Sequence, residues 1–298
     1  MRAGKRRGGV LRRRPTFFGR FDERGQSAAV GTILAIMVIL VLLTVVTTRW
    51  IPVWVEGREA EHASIIDAQF AEFKKTIDQQ ALIGTPGAGV GNPFTLGQAG
   101  VPIFAPGSAG TINNGGWGAG LHPNELTFEN ESRLFSQTAY GALKYSTLNT
   151  RYIQQSHLYE FGGVIINQSD GQLLKAGPAI QFDNASNQTQ IRLTMISLAG
   201  DGATLSGDDT VTIRTQLLFS PVITEANFTT PQVVWLNITS ESAQAWQSFL
   251  NKTISNRLPA GSFQITFDAI QNSVSVRFTS VTKIVVSYQV YQSDMDLS

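Results

Sequence analysis

No cysteine occurs in the 298 residues, which excludes disulfide bonds, thiolate catalysis and cysteine metal sites. Charge is scarce as well: Asp, Glu, Lys and Arg make up 15% of the chain, well below the usual quarter. Three histidines, His62, His122 and His157, have no metal-ligand spacing and read as surface or packing residues. There is no H-E-x-x-H, no G-x-S-x-G and no P-loop lysine motif, and the glycine tracts lack the strand-to-helix context of a dinucleotide fingerprint. Asp201-Gly-Ala-Thr-Leu-Ser-Gly-Asp208-Asp209 could offer carboxylates to Ca²⁺, but its spacing is not that of an EF-hand loop, and a solvated turn is the plainer reading. No catalytic residue, cofactor or metal is therefore expected. What is present suits an exported surface domain: 42% hydrophobic residues fill a core, accompanied by many Ser, Thr, Asn and Gly.

The net charge of +1 conceals an asymmetry. Met1 to Gly25 holds nine Lys or Arg against Asp22 and Glu23, which leaves 14 basic and 20 acidic residues in the remainder. Such a leader could serve as a nucleic-acid arm. The acidic body and the apolar segment that follow argue against it, and no nucleic-acid partner is expected.

From Ala28 to Val46 no residue is charged, and 13 of these positions are Leu, Ile, Val or Met. As a helix this run spans roughly 28 Å, matching a hydrocarbon core of about 30 Å. Its insertion is favourable by on the order of 4 to 8 kcal/mol. A secretory signal would have a core of about 7–15 residues and a small-residue cleavage site beyond it; the run here is longer and ends in Thr47-Thr-Arg-Trp50. The Arg-rich leader places the N-terminus in the cytoplasm and the rest outside, with Trp50 and Trp54 as an aromatic belt at the outer interface.

The junction before the run, Arg24-Gly25-Gln26-Ser27-Ala28-Ala29-Val30-Gly31-Thr32-Ile33-Leu34, resembles the class III signal peptide of archaeal type IV pilins and related surface proteins. The resemblance implies that prepilin peptidase cuts between Gly25 and Gln26, on the cytoplasmic side, and that the helix stays on the mature protein. The early glutamate usual in bacterial pilins is missing, since none follows before Glu56; archaeal members commonly lack it too. Ile51 to His62, Phe70 to Asp78 and Tyr159-Glu-Phe-Gly-Gly-Val-Ile-Ile-Asn-Gln168 also resemble archaeal membrane-anchored surface proteins with pilin-type leaders, a likeness that implies no chemistry.

The organisation read from the pattern is a leader at 1–25, a transmembrane helix at 26–48, a stalk helix at 49–83, a Gly/Pro-rich linker at 84–120 and a β-rich domain at 121–298. Pro52 should kink or interrupt the helix. Ile66, Phe70, Phe73 and Ile77 form one stripe, which either packs on its own domain or is kept for a neighbouring subunit. Strands are expected at Val164 to Asn167, Gln190 to Leu198, Thr210 to Ser220, Gln232 to Thr239, Phe263 to Asp268, Ser273 to Thr279 and Ile284 to Tyr291, with a helix at Ser240 to Leu258. The fold class is α+β: the N-terminal transmembrane and stalk helices followed by a mainly antiparallel, sandwich-like β domain.

Seven Asn-x-Ser/Thr sequons, at Asn130, Asn167, Asn184, Asn187, Asn227, Asn237 and Asn251, exceed the chance number of about two or three. They mark glycosylation on the outer side, although turns favour these residues anyway. In the apolar helix Ala28, Gly31, Thr32 and Ala35 form one small-residue face of the kind that lets membrane helices pack closely, although such residues are common in membrane helices generally. The function expected is a membrane-anchored structural or adhesive surface subunit of pilin type. Its partners would be the lipid bilayer, prepilin peptidase and, in a filament, like subunits. The alternative is a solitary anchored ectodomain that acts as a binding module.

Overall fold

A computed structural model describes residues 23–115, 124–185 and 188–297. The chain divides into two compact units between Trp50 and Ile51.

The first unit holds helix α1 (Glu23–Val45) and a π-helical turn, Val46–Trp50. The second opens with α2 (Ile51–Ile83). Pro52 stands in the first turn of α2, where its missing N–H and its ring disturb the bond to the preceding turn. The expected interruption takes the form of the π turn just upstream, and α2 resumes without a gap. Gly84 closes α2 in the left-handed conformation, φ 64°, its N–H donating to Gln80 O at 2.9 Å.

Strands follow in the order β1 (Gly89–Thr95), β2 (Gly110–Gly115), β3 (Glu125–Asn130), β4 (Ser136–Tyr140), β5 (Ala142–Thr147), β6 (Gln155–Glu160), β7 (Gly163–Gln168), β8 (Gly171–Ala176), β9 (Ile180–Ala185), β10 (Gln188–Gly200), β11 (Thr204–Gly207), β12 (Thr210–Leu217) and β13 (Val222–Thr239). Helix α3 (Ala243–Ser255), β14 (Phe263–Asp268) and β15 (Ser273–Leu297) complete the chain. A nine-stranded sheet runs β1-β12-β15-β13-β3-β4, with β10, β9 and β14 branching from it. A six-stranded sheet runs β11-β2-β5-β6-β7-β8. All pairings are antiparallel except β10 with β15, so the fold is α+β with two essentially antiparallel sheets.

Two departures from the sequence reading have physical causes. The stretch 84–120 is not a linker throughout: β1 and β2 lie in it, and the sheets begin at Gly89 rather than after residue 120. Its glycines serve close approach. At Gly110 a Cβ would run into Leu96 O and the Tyr145 hydroxyl. Residues 116–120 lie outside the described set. Second, the strands expected at Ser273 to Thr279 and Ile284 to Tyr291 are one strand, β15, and the strand expected from Gln232 starts at Val222. Pro231 lies where the β13–β15 register shifts between Asn227 and Gln232, so a bulge absorbs the missing donor.

Two apolar clusters fill the domain. In β6 and β7, Leu158 and Ile165 face a core shared with Trp246, Leu250 and Ile254 of α3, while Tyr159 and Val164 face the core of α2. The α2 stripe is spent on its own domain: Ile66, Phe70, Phe73 and Ile77 are each 0% exposed. Each contributes roughly 1.5–3 kcal/mol by burial. Phe70 and Phe73 meet Phe94 edge-on at 5.2 and 5.8 Å, and Phe73 meets Tyr159 at 5.0 Å. Helix α2 thus packs on its own domain, the first of the two readings of its stripe.

Candidate functional site

The most apolar surface of the molecule is α1. Its large side chains are exposed from Val45 at 43% to Leu34 at 63%. Among the described residues it is the one helical stretch long and apolar enough to cross a membrane, a test that a signal sequence also passes. An unburied apolar surface of this extent marks an interaction with lipid or protein. The threonines add no polar liability. Thr32 donates to Ala28 O at 2.9 Å, Thr44 to Leu40 O at 2.7 Å, and Thr48 to Thr44 O at 2.6 Å, so each hydroxyl is satisfied within its own helix. Ala28, Gly31, Thr32 and Ala35 are all exposed, and a Cβ at Gly31 would meet nothing within 4 Å. The Gly25–Gln26 bond lies in the first turn of α1, whereas the basic leader through residue 22 lies outside the described residues. Trp50 and Trp54 are both exposed.

The second unit holds polar groups that tie α2 to the sheets. Glu59 is 1% exposed and accepts from Thr150 N at 2.7 Å, Thr150 Oγ1 at 3.0 Å, Arg151 N at 2.8 Å and Tyr152 N at 2.6 Å. Burial alone would raise its pKa, but these donors hold it below the ordinary carboxylate value. His62 meets Thr95 O at 3.0 Å, and Arg58 donates to Ala99 O and Gly100 O at 3.0 and 2.7 Å. His157, fully buried, stacks on Phe70 and sits 2.8 Å from Asp67, which also receives Lys175 Nζ at 2.6 Å. Burial pushes both histidines below their ordinary pKa, and both are packing residues. His122 lies outside the described residues.

On the opposite face of β6, Glu160 sits in the α3 core. Ser240 Oγ and Trp246 Nε1 each donate to its Oε1 at 2.6 Å, and Asn124 Nδ2 donates to Oε2. Burial outweighs these donors and raises its pKa to about 7. The residues that follow form the β6–β7 hairpin, where Phe161 and Gly162 both take positive φ, 51° and 85°, as a type I′ turn requires. The segments Ile51 to His62, Phe70 to Asp78 and Tyr159 to Gln168 therefore carry structure, namely the docking of α2 on β6 and β7.

The sequons differ in access. Asn184, Asn227 and Asn251 are exposed and Asn167 and Asn237 half-buried, whereas Asn130 is 1% exposed, its Nδ2 held by Ser132 Oγ at 2.7 Å and its Oδ1 by Phe135 N at 2.9 Å. Asn187 lies outside the described residues. Asn251 lies within α3, which makes it the poorest acceptor of the exposed ones, so glycopeptide mapping of protein from its native host should find sugar at Asn184 or Asn227 and none at Asn130. Occupancy at Asn130 would contradict the buried β3 placement.

Among the described residues no group of three or more His, Asp or Glu side chains could hold a metal. Asp201 is engaged by Asn114 Nδ2 at 3.1 Å and Ala203 N at 3.0 Å, as a turn carboxylate. A cavity of about 540 Å³ opens between the last turns of α2 and the sheets, lined by Lys74, Asp78, Leu82, Ile196 and Gln289 among others. Comparison with protein-family models, with curated proteins and with solved structures finds no match to the chain.

Proposed function

We propose that this chain is a membrane-anchored surface subunit of type IV pilin kind, held in the bilayer by α1 with its basic leader in the cytoplasm and its β domain outside. One observation carries the reading. Helix α1 leaves its large apolar side chains exposed, while the domain after it fills its own core and takes α2 into it. Such a helix is unstable in water and stable in lipid or against copies of itself. The pilin-like part rests on the junction at Gly25 and on the order of elements, a long apolar helix followed by an antiparallel β domain. In this reading prepilin peptidase and like subunits are the partners, and the role is structural or adhesive.

Assembly is tested on the small-residue face. Because Gly31 has open space around it, Gly31→Leu and Ala35→Leu leave the single chain undisturbed and add apolar surface for insertion. They should preserve membrane insertion and weaken oligomers or filaments, read by crosslinking and by counting surface filaments. Unchanged assembly would favour the second reading, a solitary anchored binding module. That reading also has an observation on its side: the α2 stripe is used up within its own domain and offers nothing to a neighbour.

A further inference from the structure

Resting on the anchored reading above, we infer that the hairpin loop tipped by Ile103 and Phe104 is a contact of the β domain with a bilayer surface that carries anionic headgroups. The loop is well defined. Gln98 N donates to Ser108 O at 2.9 Å, Phe104 N and Ala105 N both donate to Val101 O at 3.0 Å, and Gly100 lies too close to Ala105 and Pro106 to carry a side chain. Its tip is ill suited to water. Ile103 is 100% exposed and Phe104 45%, and Ile103 holds φ 72°. A β-branched residue in the left-handed region is strained, and a turn that faces water fills such a position with Gly, Asn or Asp. The exposure of Ile103 is not compensated by packing within the domain, and an apolar surrounding accounts for it.

The occupant follows from what holds the loop. Arg58 binds the carbonyls of Ala99 and Gly100, and Arg58 is seven residues, about 10 Å of helix, along α2 from Ile51, where the second unit begins. The next residue, Glu59, clamps the neighbouring loop, where Leu148 and Ile153 are 55% and 44% exposed beside an exposed Arg151. Leu148 N donates to Ala109 O at 3.0 Å, which sets the two loops side by side. Apolar tips next to a cation, gathered beside Arg58 and Glu59 of α2, suit an interface of acyl chains and anionic headgroups.

The absence of cysteine makes single-site labelling unambiguous. Full-length chains with Ile103→Cys, Ile270→Cys or Leu40→Cys would each carry one environment-sensitive fluorophore. They would be reconstituted into phosphatidylcholine vesicles containing phosphatidylglycerol, with spin-labelled lipid as quencher. Ile270 is 94% exposed on the β14–β15 turn, so it serves as the water-facing control. The expected result is strong quenching at position 40 by mid-chain spin label, quenching and a shift to shorter wavelength at 103 by headgroup-depth label, and neither at 270. Quenching at 40 without quenching at 103 overturns this inference and leaves the anchor standing. No quenching at 40 overturns the anchor and the inference with it. A wavelength shift at 103 that no lipid quencher touches assigns the loop to a second copy of the chain, and equal quenching at 270 removes its specificity; either outcome overturns the inference.

Discussion

Chains that carry Gly25→Val should accumulate with the Arg-rich leader attached, while wild-type chains in the same host lose it and begin at Gln26. The expected effect is close to complete. A peptidase working at the membrane face must bring an extended backbone to its catalytic groups, and the first turn of a helix is where this costs least, because its N–H groups have no partners within the helix. Gly25 stands in that turn of α1. Glycine lowers helix stability there by about 1 kcal/mol relative to alanine and admits close approach of another backbone. Valine's branched side chain blocks that approach. Intact mass of the membrane fraction reads the result, and wild-type chain that retains the leader in a host with active prepilin peptidase would remove the pilin-type junction from the account.

The second large effect concerns Glu160. Its pKa is raised from the ordinary 4.5 to about 7, so the folded protein holds a proton more tightly than the unfolded chain. The stability this contributes is complete below pH 4.5 and is lost as pH rises through 7, by on the order of 3 kcal/mol. Glu160→Gln should abolish that dependence. Its carbonyl can keep the bonds from Ser240 and Trp246, and its amide can donate to Asn124 once the Asn124 side chain turns over. Glu160→Leu should instead leave the Ser240 hydroxyl and the Trp246 indole N–H without an acceptor, at a cost of roughly 2–6 kcal/mol. His62 and His157, whose pKa values are depressed, lose stability as pH falls below 6.5 and act in the opposite sense, so the difference between wild type and E160Q isolates the carboxylate. Chemical denaturation of the detergent-solubilised chain at pH 5 and pH 8 decides it. Equal pH dependence in wild type and E160Q would contradict the placement of Glu160.

Local patterns announced the elements that depend on local chemistry. The uncharged run at Ala28 to Val46, the alternation of Val274, Val276 and Phe278, and the buried face of α3 at Trp246 and Leu250 all follow from one-dimensional periodicity, and the structure buries each of these last five side chains. Strands in the glycine-rich stretch were hidden because glycine there answers to close packing by distant segments, as at Gly110 against Leu96 and Tyr145. The unity of β15 was hidden because it depends on the β13 bulge, which only the partner strand reveals.

The polar clamps left still less trace. Glu59 and the loop it holds are more than 90 residues apart in sequence, and such pairs have no local signature. Glu160 did leave a signal, a single carboxylate in the otherwise apolar Leu158-Tyr-Glu-Phe-Gly-Gly-Val-Ile165, because a charge there must be buried with partners or break the strand pattern. Ile103 left none at all, since its strain lies in the backbone.

The central claim, an α1 anchor with the β domain outside, is tested most directly by treating intact cells with protease and then weighing the fragments that stay in the membrane. The account requires a membrane-retained fragment that starts at Gln26 and includes Ala28 to Val46, with the β domain cut away on the outside. A β domain protected in intact cells, or recovered whole without α1 in the soluble fraction, would contradict it.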